Sequence, residues 1–321
     1  MQKKTVHIGP LPPPVGGISV YLYRLSKKMA DDPYVVFINE KGLTTLRFIL
    51  FLLFGKNKQV IYHSPILKRR ILIYLISKIV GYSYVIVSHG KGLEEQYNNC
   101  NRIIKDLLLR TIFNAEYIQV VGVHLKMFLI NLGYDENKII VKNAFLPPPL
   151  DDEINILRSY PESLDIFIKK SRPVLIANAS KIVFIDNIDL YGLDLCVELT
   201  ALLQKKYQDV GFVFALADEN ENAGYLNKMK TKIKDLGIED NFYFLTGQKE
   251  LWPLFKKADI MIRPTCSDGY GISIAEALYF GCPAIASNVS DRPQGTILFN
   301  NRDIEDLYNK TKEILNAKRV Y

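Results

Sequence analysis

The chain is poor in the residues that staple or metallate small proteins. Its four cysteines, Cys100, Cys196, Cys266 and Cys282, lie far apart, with no C-x-x-C pair and no histidine at zinc-ligand spacing. That pattern argues against a disulfide framework or a structural zinc and for a reducing compartment. No apolar run reaches the roughly 20 residues needed to cross a bilayer. The first residues, Met1 to Gly9, lack the apolar core of a signal peptide, so the chain is expected to stay in the cytosol. Short repeats and low-complexity tracts are missing as well. What is present is an ordinary globular composition, 48% hydrophobic and 23% charged, which excludes disorder. At 321 residues, two domains of usual size are expected.

Charge is unevenly spread. Residues 1–150 hold 20 Lys+Arg against 9 Asp+Glu, whereas the remainder holds 21 against 25, so the whole basic surplus lies in the first half. That half also carries two apolar stretches beside cations. Leu43 to Phe54 is followed by Lys56 and Lys58, and Lys68-Arg69-Arg70 precedes Ile71 to Val80. Each is expected to rest on an anionic membrane surface, apolar side down and cations toward the headgroups, the alternative being a core-facing helix of an α/β layer with solvated cationic ends. The cations are not interleaved with a nucleic-acid reader motif, so no nucleic-acid partner is expected.

Short β-branched or aromatic runs alternate with longer helical ones. Strands are predicted at 5–9, 34–39, 59–63, 84–88, 117–121 and 139–142, with helices at 18–30, 43–54, 67–80, 101–113 and 123–132. After Pro147-Pro148-Pro149 the rhythm restarts, with strands from 174, 210, 242, 260, 284 and 296 and helices from 193, 225, 251, 272 and 304. Such alternation builds parallel sheets covered on both faces. The fold class expected is α/β, with two doubly wound Rossmann-like domains facing across a cleft. Residues 1–165 form the first and 166–321 the second, with a linker near 151–172 and the last helix free to pack back on the first domain.

Ligands of such sheets bind beyond the carboxyl ends of the strands, and three strand-to-helix turns there stand out. In Gly9-Pro10-Leu11-Pro12-Pro13-Pro14-Val15-Gly16-Gly17, the glycine pair lets backbone N–H groups approach a ligand at a helix start. His89 ends a strand beside Gly90 and Gly92, where an imidazole can donate or accept a hydrogen bond. His7, His63 and His124 carry no comparable signal. The third turn, Arg263-Pro264-Thr265-Cys266-Ser267-Asp268-Gly269-Tyr270-Gly271, opens a helix that carries Glu276. Its glycines permit N–H groups to face phosphate. Glu276, one turn in, can accept both hydroxyls of a ribose, and Asp268 can take hydroxyls of a second sugar.

This third segment resembles the E-x7-E signature of retaining GT-B glycosyltransferases of the GT4 type, here Asp268-x7-Glu276 around Gly269-Tyr270-Gly271. The likeness continues through Ala277 to Ser287 and includes Leu236-Gly237-Ile238-Glu239-Asp240-Asn241-Phe242-Tyr243-Phe244-Leu245-Thr246-Gly247. The resemblance implies that Glu276 binds the donor ribose, while Gly271, Ile272 and Ser273 offer N–H groups to the diphosphate. It likewise implies that Asp268 and His89 touch the transferred sugar, that Gly16 and Gly17 lie near diphosphate and acceptor, and that Thr246 and Gly247 pack the base. Catalytic roles therefore fall to His89, Asp268 and Glu276.

Two departures stand out. The first acid is one methylene shorter than usual, and Tyr191 occupies the place of the lysine that normally helps neutralise the diphosphate. Lys181, with Ser180 as hydroxyl partner, is the expected replacement, and Arg263 an outside candidate. No Asp-x-Asp pair exists to clamp a divalent ion, so no metal or other cofactor is expected. The implied reaction moves a hexose or N-acetylhexosamine from a nucleoside-diphosphate sugar, UDP favoured, to a glycan or polyprenyl-diphosphate-linked acceptor at the inner face of the membrane, in O-antigen or capsule assembly. A non-catalytic partner subunit with this layout, or another sugar-nucleotide enzyme such as an epimerase, remains the rival reading.

Overall fold

The structure, a computed structural model, describes residues 3–13, 16–54, 57–90, 92–142, 145–247 and 249–318. Pro14, Val15, Lys56 and Lys91, which belong to stretches singled out above, lie outside the described residues. The chain divides into two compact units, residues 1–146 and 147–321.

The first unit runs β1 (Lys4–Gly9), α1 (Gly17–Lys28), β2 (Val35–Asn39), α2 (Thr45–Leu53), β3 (Lys58–Tyr62), α3 (Leu67–Val80), β4 (Ser83–Ser88), α4 (Gly92–Asn99), α5 (Arg102–Phe113), β5 (Ile118–Val120), α6 (Val123–Asn131) and β6 (Ile139–Val141). Its six strands are parallel in the order β2-β1-β3-β4-β5-β6. The chain steps from β1 to one side and then returns to the other. The order therefore reverses between β1 and β3, and past their carboxyl ends lies the crevice such sheets use for ligands.

The second unit runs α7 (Glu153–Arg158), α8 (Glu162–Lys170), β7 (Val174–Lys181), β8 (Phe184–Ile185), β9 (Ile188–Asp189), α9 (Leu193–Gln204), β10 (Gly211–Asp218), α10 (Ala223–Asp235), β11 (Phe242–Thr246), α11 (Trp252–Phe255), β12 (Ile260–Arg263), α12 (Ile272–Tyr279), β13 (Ala284–Ser287), β14 (Ile297–Phe299) and α13 (Ile304–Lys318). Its parallel order is β11-β10-β7-β12-β13-β14, with the reversal between β7 and β12. Side chains alternate between two cores along each strand. On β10, Phe212 and Phe214 enter one with Leu199 of α9, while Val213 and Ala215 enter the other with Ile274 of α12. The strands read as unbroken apolar runs because both faces are covered.

The alternation in the sequence thus corresponds to two doubly wound sheets, but several details differ. The division falls at Leu146/Pro147 rather than 165/166. Residues 151–165 are not a linker, since α8 buries Leu164, Phe167 and Ile168 in the second unit's core. The last helix belongs to that unit too, with Leu307 and Leu315 in the core it shares with α9. The β8–β9 hairpin and α4 went unforeseen. Asp186 (φ 48°) and Asn187 (φ 62°) form the two-residue hairpin turn with both residues left-handed, a tolerance typical of Asp and Asn.

The cations flanking the apolar helices are also spent differently from the expectation. Lys58 is buried, and its Nζ donates to the carbonyls of Phe51 and Leu52 at 3.0 Å, capping the C-terminus of α2 where the helix dipole favours a cation. Arg69 pairs with buried Glu40 at 2.8 Å and donates to Leu43 O at 2.7 Å. Arg70 is buried and donates to Gln96 Oε1 at 2.7 Å. Of that triplet only Lys68 is exposed. These arginines face inward because α3 docks against the sheet and the loop after β2, where Glu40 offers a counter-charge. Among the described residues no helix is long and apolar enough to cross a membrane.

Candidate functional site

The densest chemistry of the second unit lies at its strand-order reversal. Arg263 ends β12, and its Nε donates to Asp268 Oδ2 at 2.9 Å while Nη1 donates to Asn178 O of β7 at 3.1 Å. Arg292, beyond β13, donates from Nη1 to the same Oδ2 at 2.8 Å and from Nη2 to Thr265 Oγ1 and Ser287 Oγ, both at 3.1 Å. Asp268 also accepts from Thr265 Oγ1 at 3.2 Å and from Gly269 N at 2.9 Å. Burial alone would raise the Asp268 pKa, but the Arg263 and Arg292 guanidiniums outweigh it and hold the carboxyl well below the usual range. A carboxylate offers about four lone-pair directions, and these donors fill them. The free acid expected for sugar hydroxyls is therefore engaged with two arginines in this structure.

Tyr191, in the place of the expected lysine, brings a cation by another route. Its ring lies 5.1 Å from the Arg263 guanidinium and its hydroxyl is 3.0 Å from Ser180 Oγ. Lys181, the replacement suggested from sequence, instead pairs with Glu221 at 3.6 Å in an exposed position. The cations set directly against Asp268 are Arg263 and Arg292. Arg292 carried no local signal, since 24 residues separate it from Asp268. The available cue was topological: it follows the strand next to the one that Arg263 ends.

This cluster abuts the start of α12. Gly271 is the N-cap, at φ 80° and ψ 73°. A Cβ there would meet Ile274 Cδ1 at 2.6 Å and Arg292 Nη1 at 3.3 Å, so the backbone can turn only as glycine. Ser290 Oγ donates to Gly269 O at 2.7 Å and pins the turn that also carries Tyr270. The N–H groups of Ile272 and Ser273, in the first turn, have no intrahelical acceptor by helix geometry. Glu276 follows one turn later and is buried. Its carboxylate lies close enough to Tyr160 to add to the burial that pushes that hydroxyl's pKa up. Thr246 and Gly247, at the end of β11, are exposed, with Gly247 at φ 87° and its N–H donating to Leu216 O at 3.1 Å.

In the first unit, Gly16 caps α1 and Gly17 begins it. Gly16 N donates to Ser19 Oγ at 3.0 Å, and Ser19 Oγ donates back to Gly16 O at 3.0 Å, so the helix supplies its own cap. His89 is not alone. Its Nε2 lies 3.2 Å from His63 Nδ1, and His63 Nε2 lies 2.9 Å from His7 Nδ1. His7 and His63, given no weight from sequence, are thus joined to it. They come from β1 and the residue after β3, and His89 follows β4; the strand order sets those three side by side. Burial lowers the pKa of His7 and of His89 to about 4, nearby Arg70 adding to the effect at His89; burial, with the neighbouring His89 and His7, also holds His63 well below its ordinary value. All three rings are therefore neutral near pH 7.

Known proteins share part of this sequence and its fold. Residues 167–318 match the family described as glycosyl transferases group 1. Over 138 residues the chain is 24% identical to an uncharacterized glycosyltransferase of Haemophilus influenzae, covering 40% of this chain and 37% of that one. Over 180 residues it is 21% identical to the lipopolysaccharide glucosyltransferase WaaG of Escherichia coli, covering 51% of this chain and 45% of that one. Both matches span less than half of those relatives' own length. The solved structure of Anabaena HepE in complex with UDP is similar at a TM-score of 0.70 and 12% identity, covering 98% of this chain and 90% of that one. The fold is GT-B, and residues 167–318, just under half of the chain, are similar to the glycosyl transferases group 1 family.

Proposed function

We propose that the protein moves a hexose or N-acetylhexosamine from a nucleoside-diphosphate sugar, UDP favoured, to a glycan hydroxyl, with retention at the anomeric carbon. The observation that carries this reading is the start of α12. Two guanidiniums set against one carboxylate leave a net positive charge beside a helix N-terminus whose first N–H groups suit a diphosphate. A departing diphosphate needs charge stabilisation fixed in advance, and a cluster locked by this many hydrogen bonds does not have to reorganise as the bond breaks. Asp268 on this reading holds the two arginines apart and in place. Glu276 serves the ribose hydroxyls, Thr246 and Gly247 the base, and the N–H groups of Gly271, Ile272 and Ser273 the phosphates. The same HepE protein has been solved with UDP-glucose, in keeping with a UDP-sugar donor.

The acceptor we infer is a lipid-linked glycan used in surface polysaccharide assembly, reached from the inner face of the membrane. The WaaG relative acts, by its name, on lipopolysaccharide. Support within the chain is the basic surplus of the first unit together with an apolar face on α2 and α3. Leu46, Leu50, Leu53, Phe54, Leu75 and Ile79 are exposed there, beside exposed Arg47 and Lys68.

Calorimetric titration with UDP and UDP-glucose tests the donor assignment. The intact protein should bind both, and Glu276→Ala should weaken binding at least tenfold. Wild-type affinity in that variant would remove Glu276 from the site, and an intact protein that binds no nucleotide would overturn the reading.

A further inference from the structure

Buried His7 and His63 and half-buried His89 of the first unit form a directed chain. Each link joins Nδ1 of one ring to Nε2 of the next, from His7 through His63 to His89. The rings are stacked, with centroids 5.2 and 5.4 Å apart, and are flanked by Phe37 on His7 and by Tyr21 against His89. The rings run in line rather than converging on a point, and among the described residues no group of three such side chains is arranged to hold a metal ion. At the far end Nδ1 of His89 is shielded from solvent and has no hydrogen-bond partner among the described residues. A buried polar atom left so costs about 1–3 kcal/mol and marks a place for a ligand or a functional role.

Three neutral rings hold one N–H each, and each of the two links uses one of them. Only two arrangements satisfy both links. Either every ring carries its proton on Nδ1, and His89 presents a donor, or every ring carries it on Nε2, and His89 presents an acceptor. We propose that His63 and His7 act as positioning residues that set the tautomer of His89, so that its Nδ1 meets a hydroxyl group of the bound substrate as donor or acceptor without the array gaining charge. Converting one form to the other takes one proton shift in each link, release of the proton on His89 Nδ1 to the group it meets and uptake of one at His7 Nε2, so that every ring ends neutral. Burial and the cation of Arg70 keep the rings unprotonated, as such a device requires. That the hydroxyl belongs to a sugar rests on the transfer reading above; the coupling of the rings does not.

The chain has only four histidines, and exposed His124, paired with Glu94, serves as an internal reference. Histidine-selective 15N labelling with long-range proton–nitrogen correlation therefore resolves every ring. In the free protein His7, His63 and His89 should share one tautomer, and addition of UDP-glucose should leave them matched, whether or not they switch together. Mixed tautomers among the three, or a change at His89 that His63 does not follow, would overturn the proposal. His63→Phe keeps a ring but breaks both links, and His89 should then lose its match to His7. If that variant fails to fold, His7→Phe, beside Phe37, should shift the His63 and His89 signals together; unchanged signals would refute the coupling. Matched tautomers in a protein that transfers no sugar would sink the transfer reading alone.

Discussion

Replacing Arg292 with methionine removes a side chain that is 2% exposed and makes four hydrogen bonds, one of them to Asp268 Oδ2 at 2.8 Å. Methionine fills much of the same volume, so the loss is chiefly electrostatic. Breaking a buried pair by deleting one partner costs about 3–5 kcal/mol. Arg263 and Thr265 still serve Asp268, which places the effect near the lower end, roughly 3 kcal/mol. For a unit of this size each kcal/mol lowers Tm by about 2–4 °C, so the second unit should melt roughly 6–12 °C earlier. Trp252, the single tryptophan, is fully buried in that unit against Phe280, and its fluorescence reports this transition alone. Arg292→Lys, which keeps the charge but not the fork, should fall between variant and wild type. Asp268→Asn leaves two guanidiniums facing each other without a counter-charge, and its effect combined with Arg292→Met should be far from additive. A shift below about 2 °C for Arg292→Met, or simple additivity of the pair, would show that these groups do not form one electrostatic unit.

Three further outcomes follow from the geometry. Gly271→Ala places a methyl 2.6 Å from Ile274 Cδ1 at a positive φ, which should destabilise the second unit by about 1–3 kcal/mol and weaken UDP binding in calorimetry. Unfolding by urea should grow easier as pH falls from 6.5 toward 4. The native pKa of His7 and of His89 is about 4 against 6.5 unfolded, so the unfolded chain binds more protons in that window, about 2 kcal/mol per ring at pH 5, and His7→Phe should remove one share. Vesicles rich in anionic lipid should retain the wild type but release an Ile79→Asp, Leu50→Asp variant; equal partitioning would remove the apolar face of α2 and α3 as a membrane surface. Arg69 and Arg70 are unsuitable for that test, because their charges are committed inside the fold.

The GT-B layout was legible because its signals are local. Period-two and period-3.6 patterns mark β1 to β7 and β10 to β14 within a few residues, since each element must turn its own apolar side chains toward a sheet or helix it will bury. The glycine turn before α12 and the carboxylate at Glu276 were legible for a similar reason: Gly269, Gly271 and Glu276 are close in sequence, and a φ of 80° at Gly271 admits no other residue comfortably. The short β8–β9 hairpin escaped because two-residue strands leave no period to read.

Tertiary structure alone decided the partners. Arg292 reaches Asp268 across 24 residues, Arg69 reaches Glu40 across 29, and His7 reaches His63 across 56. No periodicity encodes such distances; they follow from which strands lie side by side. Strand order placed Arg263 and Arg292 around the acid that looked free, turned Lys58, Arg69 and Arg70 away from the surface they seemed to mark, and joined three scattered histidines into one chain. The sequence by itself determined the two sheets and the helix that carries Glu276, because local sterics and hydrophobic burial act on neighbouring residues. Only the fold decided which charges stay available, because a charged group takes its state from whatever the chain brings against it.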